Sequence, residues 1–70
     1  MEEISFSLNR DFIDLFKLLK VTGLCDSGGM AKHAISQGEV EVDGQIETRK
    51  ACKIRKGQQV KFGGSVITVE

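Results

Sequence analysis

The hydrophobic period of this chain changes twice before Gly44, which excludes both an all-helical bundle and an all-strand sandwich. Ile4, Phe6 and Leu8 alternate with Glu3, Ser5, Ser7 and Asn9, the period of two of a half-buried strand. From Asp11 to Val21 the period is helical. Phe12, Leu15, Phe16 and Leu19 fall at i, i+3, i+4 and i+7 on one stripe, which Ile13 and Leu18 widen. After Gly38 the period of two returns, as Val40 and Val42 alternate with Glu39, Glu41 and Asp43. Strand patterns on both sides of a helical pattern imply an α+β fold, with helices packed on one face of a sheet.

Local signals place the boundaries. Asn9 or Asp11 can cap the first helix, Lys17 and Lys20 suit its last turns, and Gly23 can supply the left-handed residue that ends it. A second helix follows a tight Thr22–Asp26 connection, with Asp26 or Ser27 as N-cap, an apolar stripe of Met30, Ala31, Ala34 and Ile35, and Gly38 just past its end. Asp43-Gly44 suits a type I′ hairpin turn, with Gln45-Ile46 as the return. Lys56-Gly57 and Gly63-Gly64 mark later turns around Val60 and Phe62, and the chain closes on the β-branched run Val66–Val69. The expected architecture is an N-terminal strand, two short helices and a small, mostly antiparallel sheet. Its 70 residues (1–70) make one domain. A domain of that size buries only about 60% of the surface its unfolded chain exposes, which leaves little room for an internal active site.

Ten Lys and Arg balance ten Asp and Glu. A formal charge of zero argues against a nucleic-acid partner only if the charges are evenly mixed. Here they are segregated: Glu39, Glu41, Asp43 and Glu47 form a stretch with no cation, whereas Arg49, Lys50, Lys53, Arg55, Lys56 and Lys61 form one with no acid. Residues 1–31 carry five acids and three cations, a net of −2, and residues 32–70 carry seven cations and five acids, a net of +2.

Other chemistries find little support. His33 is the only histidine, and no nucleophile is marked as its partner. Cys25 and Cys52 lie 27 positions apart without a Cys-x-x-Cys pair, so no metal site or other cofactor is expected and both thiols are read as reduced. Glu39, Glu41 and Asp43 read as a solvated strand face, not a calcium loop. The start Met1-Glu2-Glu3-Ile4 is acidic where a secretory signal is basic, and the apolar runs are far too short to span a bilayer. A cytoplasmic monomer is expected, without membrane contact. There is no Trp or Tyr, and all four phenylalanines fall at core-periodic positions, so no exposed platform for stacking bases is expected.

Two features point to an anionic partner. Asp26-Ser27-Gly28-Gly29 opens a helix, where free N–H groups and the positive dipole end receive phosphates and glycine leaves room for close approach. Each of these glycines costs roughly 1 kcal/mol of helix propensity relative to Ala, so something other than helix formation favours them. Lys32 stands one turn on. The second feature is the cationic stretch from Arg49 to Lys61, which mixes Arg forks with Lys point charges.

The run Gly23-Leu24…Ser27…Ala31-Lys32…Ile35…Gly38-Glu39-Val40-Glu41-Val42-Asp43-Gly44 resembles the S4-type RNA-binding domain. The likeness extends to Phe12…Leu15…Leu18-Leu19 on one side and to Lys53-Ile54…Gly57-Gln58…Val60 on the other. It implies a helix pair followed by a strand, the αL motif, which docks on structured RNA, ribosomal or tRNA-like, and brings ribosome association with it. Carried over by position, it implies phosphate contacts from Ser27, Gly28, Gly29 and Lys32, and from Arg49, Lys50, Lys53 and Arg55. Lys56 and Lys61 extend that cationic set. Many members of the family have Arg after the capping Ser and Glu two positions beyond, where this chain has Gly28 and Met30. Backbone N–H groups of the two glycines are expected to replace part of that arginine anchor. No catalytic domain of the kind usually fused to this module is present, so the expected activity is binding, not catalysis. The competing expectation is a protein-interaction module that presents the same basic patch to an acidic partner.

Overall fold

A computed structural model describes residues 2–70, which form two helices and two sheets. The larger sheet has the order β1-β7-β6-β3-β4, built from β1 (Glu2–Phe6), β7 (Ser65–Val69), β6 (Gln59–Phe62), β3 (Val40–Val42) and β4 (Gln45–Ile46). Only the β1–β7 ladder is parallel, because the chain leaves β1 through the helices and the hairpins before returning beside it. A two-stranded antiparallel sheet joins β2 (Ile13–Asp14) to β5 (Lys53–Ile54). The helices are α1 (Leu15–Val21) and α2 (Gly28–Ser36).

The α+β architecture agrees with the periodicity, but α1 begins later than Asp11. Ile13 and Asp14 are extended and pair with Ile54 and Lys53, and Asp14 occupies the N-cap position without a side-chain hydrogen bond to the helix. The apolar stripe alone could not distinguish a helical Ile13 from one in a two-residue strand. The pairing with Ile54, which lies far along the chain beyond both helices and the hairpin, decides it, and Ile54 is fully buried. Helix 2 does start after Ser27, whose Oγ accepts from the Met30 N–H at 3.2 Å. Gly23 and Gly38, at φ 81° and 76°, close the two helices in the left-handed conformation.

One face of the large sheet carries the core. Leu15, Leu18 and Leu19 of α1 and Ala31 and Ile35 of α2 pack with Val40, Ile54, Val60, Ile67 and Val69. Met30, expected on the inner stripe, is instead 54% exposed, because α2 seats Ala31, Ala34 and Ile35 against α1. The four phenylalanines are likewise only half-buried, and Phe6, Phe16 and Phe62 pack at the margin of the core.

The Asp43-Gly44 turn has φ 51° and 86°, the two left-handed residues of a type I′ turn. Asp43 also has a tertiary role that its place on a polar strand face did not suggest. Its carboxylate accepts from Gln58 Nε2 at 3.0 Å and from the Gln59 N–H at 2.9 Å, and Gln58 Oε1 accepts from the Arg55 N–H at 2.8 Å. The hairpin is thereby tied to the turn that follows β5. The Gln58 hydrogen bond, and after it that of Gln59, holds the Asp43 carboxyl below its ordinary value. A folded-state value below the unfolded one contributes stability above about pH 4 that is lost as pH falls. Asp43→Ala should therefore cost about 1–2 kcal/mol in urea unfolding at neutral pH and flatten the acid limb of the stability profile. An unchanged acid limb would show that the carboxylate does not hold the turn.

Candidate nucleic-acid interface

The first turn of a helix has N–H groups with no partner inside the helix. In α1 these are met by the cationic loop: the Leu15 N–H donates to the Cys52 carbonyl at 2.9 Å and the Phe16 N–H to the Lys50 carbonyl at 3.2 Å. The loop takes the place of a side-chain cap, so its backbone is fixed against the helix pair.

Phe16 joins this loop to the start of α2. Its backbone holds Lys50, while its ring lies where a Cβ on Gly28 would meet it at 3.8 Å. Lys32 Nζ stands 4.6 Å from the centroid of the Phe16 ring, and Lys17 Nζ lies at 5.9 Å. Across β2 and β5, Lys53 Nζ stands 4.8 Å from the centroid of Phe12. An ammonium over an aromatic face is attracted by the ring quadrupole and its stem loses freedom. Two of the expected phosphate ligands, Lys32 and Lys53, are thus ordered by rings that sequence periodicity assigned to the core.

At the start of α2, Ser27 caps the Met30 N–H and its carbonyl accepts from the Ala31 N–H. Among the described residues, no acceptor is bonded to the N–H of Gly28 or Gly29. Close helix packing does not explain the glycines: a Cβ on Gly28 would make only ordinary contact with Phe16, and one on Gly29 would meet nothing nearer than Ser27 Oγ at 3.8 Å. Neither glycine has the left-handed φ that would demand it. Alanine would fit both places and favour the helix.

The rest of the cationic set divides. Arg49 is held by Glu47 in a two-pronged fork, with Nε to Oε2 at 2.9 Å and Nη2 to Oε1 at 3.0 Å, and the Arg49 N–H also donates to Oε2 at 3.0 Å. These bonds hold the Glu47 carboxyl at about 2, and the guanidinium is correspondingly harder to deprotonate. Cys52 Sγ lies 3.6 Å from Glu47 Oε1, and partial burial with the carboxylate nearby raises its thiol pKa. Arg49 therefore stiffens the loop and offers its charge only in company with an acid, a pairing that the Glu47-x-Arg49 spacing signals. Arg55 and Lys56 lie beyond β5, in the turn tied through Gln58 to Asp43.

Lys61 stands apart. Its neighbour Val60 is fully buried in the core, so alternation along β6 sends Lys61 to the opposite sheet face, between Glu41 and Val66. On that face Glu3 lies across Val66. The structure thus brings Gly28 and Lys32 to the Phe16 ring, Lys53 to the Phe12 ring and the Lys50 carbonyl to the Phe16 N–H, keeps Arg49 paired with Glu47, and leaves Lys61 on an acid-bearing surface. Among the described residues, no group of three His, Cys, Asp or Glu is placed to hold a metal ion, and no helix is long and apolar enough to cross a membrane.

A helix pair followed by a β-hairpin, with a basic loop folded onto the first helix, defines the class of small αL-type modules. The S4 domain family matches residues 6–70, and the chain belongs to that family. It is 48% identical over 66 residues to the "Putative RNA-binding protein YbcJ" of Escherichia coli K12, covering 93% of this chain and 94% of that one. It is 34% identical over 58 residues to the "Probable ribosome maturation protein RlbA" of Bacillus subtilis 168, covering 83% and 82%. The solution structure of E. coli YbcJ, described as revealing an αL motif involved in RNA-binding, superposes with a TM-score of 0.73, covering 93% of this chain and 84% of that one.

The Glu47–Arg49 fork is open to direct measurement. A carboxylate NMR titration should place the Glu47 midpoint at about 2, and Arg49→Ala should return it toward 4.5. Because the folded value is depressed, the stability that the fork contributes is present above 4.5 and lost as pH falls toward 2. A midpoint unchanged by Arg49→Ala would refute the fork.

Proposed function

We propose that this protein is an RNA-binding module, not an enzyme, that docks on structured RNA through the start of α2 and the loop capping α1. The observation that carries this reading is the pair Gly28-Gly29: two residues unfavourable to a helix, free of any packing requirement, whose N–H groups have no bonded acceptor among the described residues, with Lys32 over the same Phe16 ring that Gly28 neighbours. Free N–H groups, a helix dipole and ordered ammonium groups form a receptor for phosphate oxygens. The named functions of the relatives, RNA binding and ribosome maturation, support RNA as the source of those phosphates and ribosomal RNA as the class to test first. Within this proposal the protein acts in the cytoplasm, as a monomer.

The mechanism is recognition of phosphate positions on a folded RNA surface. The radius of gyration is 10.5 Å, so the footprint reaches only a few phosphates. Neutralising about four to six of them gives a slope of log affinity against log salt of roughly −3 to −5. Ser27 positions the helix start, Gly28 and Gly29 donate N–H groups, and Lys32, Lys50 and Lys53 supply charge, with Arg55 and Lys56 as an outer contact. The side chain of Ser27 is already engaged as a cap, which leaves N–H donors and cations to meet an anion.

The test is binding of deproteinised ribosomal RNA by the wild type and by the double variant Gly28→Ala, Gly29→Ala. The variant should be at least as stable, by up to about 1 kcal/mol per site, while its RNA affinity falls several-fold. Unchanged affinity would remove the glycines from the interface. Lys53→Ala should weaken binding to all RNA sequences alike and reduce the salt slope by about 1. A flat salt response would contradict the electrostatic mechanism.

A further inference from the structure

Beside the phosphate site lies a cleft of about 430 Å³ that shares Gly28 with it and whose other lining cations, Arg10, Lys17 and Lys20, the proposed docking does not use. Phe6, Ile13, Phe16 and Val21 give it an apolar lining. Arg10, Lys17 and Lys20 stand around it, and no acidic side chain lines it. Val21 is 59% exposed, and among the described residues the only carboxylate paired with these cations is Asp14, 3.8 Å from the largely exposed Lys17.

We infer that this cleft receives one unstacked nucleobase of the bound RNA, while Arg10, Lys17 and Lys20 hold the phosphates that flank it. The inference rests on the RNA reading and adds to it a requirement for an unpaired nucleotide. A nucleotide is a flat, weakly polar ring joined to an anion, and the cleft offers apolar walls with a cationic surround in the same arrangement. Phe16 and Gly28 belong to both sites, so a backbone held at the start of α2 leads directly into the cleft. Asn9 also lines it, and its amide both donates and accepts, which suits the edge of any base. An amphipathic protein helix fits less well, since it needs anchor pockets repeated along a groove and this is a single small-ligand-sized cleft. Aromatic and apolar contact with a base also supplies an attraction that salt does not screen.

The test uses two RNA hairpins of the same stem, one fully paired and one with a single bulged 2-aminopurine. The wild type should bind the bulged hairpin about tenfold more tightly, and the bulged base should become protected from acrylamide quenching. Val21→Ser, at an exposed position where folding is not at risk, should collapse the ratio of the two affinities toward one. Lys53→Ala should lower both affinities and leave the ratio intact. Equal affinities with an unprotected base would overturn the inference while leaving phosphate docking in place, and would give the cleft to a protein side chain. Binding of neither hairpin at any salt would instead overturn the RNA reading, and this inference with it.

Discussion

Two hydrogen bonds organise the candidate interface: the N–H groups of Leu15 and Phe16 donate to the carbonyls of Cys52 and Lys50. A helix start buried without partners is costly, and Asp14 supplies no side-chain cap. The loop that satisfies α1 is therefore held in place by the stability of the helix pair itself. Leu15 is fully buried, so the loop cannot leave without exposing polar groups next to the core. The fold and the proposed interface share this contact. The loop's positive charges are displayed from a backbone that the core has already fixed, which lowers the entropy lost when a phosphate is bound.

Phe16 extends the same constraint to α2. Its N–H meets Lys50, its ring meets the space above Gly28, and Lys32 stands over its face. The zero net charge is resolved by position: Lys32 and Lys53 stand over two half-buried rings, whereas Lys61 stands beside Glu41 on the opposite sheet face. The proposed RNA interface is accordingly one-sided, and the acids Glu3 and Glu41 disfavour docking through the other face.

The α+β class, the Ser27 cap, the Asp43-Gly44 turn and the two helices were legible from period and turn chemistry, since each depends on residues close in sequence. The signals failed where a distant partner decides. Ile13 leaves the helix because Ile54 pairs with it, and Met30 leaves the core because α2 seats its alanines against α1. Of the candidate site, the Gly28-Gly29 start and the cationic loop were visible as local anomalies. What brings them together was not visible, because Phe12 and Phe16 share the period of core residues and nothing local reveals that lysines cover their rings. Alternation with Val60 already turns Lys61 away from the core, whereas its neighbours Glu41 and Val66 follow from strand register, which local sequence does not disclose.

The claim that the α2 start and the α1-capping loop act as one surface is tested most directly by following backbone amide resonances while a ribosomal RNA fragment is titrated into the protein. The amides of Gly28, Gly29, Lys50 and Lys53 should shift together along one binding curve, with Glu41, Lys61 and Val66 unmoved. Shifts concentrated on Glu41, Lys61 and Val66, or separate curves for the helix start and the loop, would contradict it.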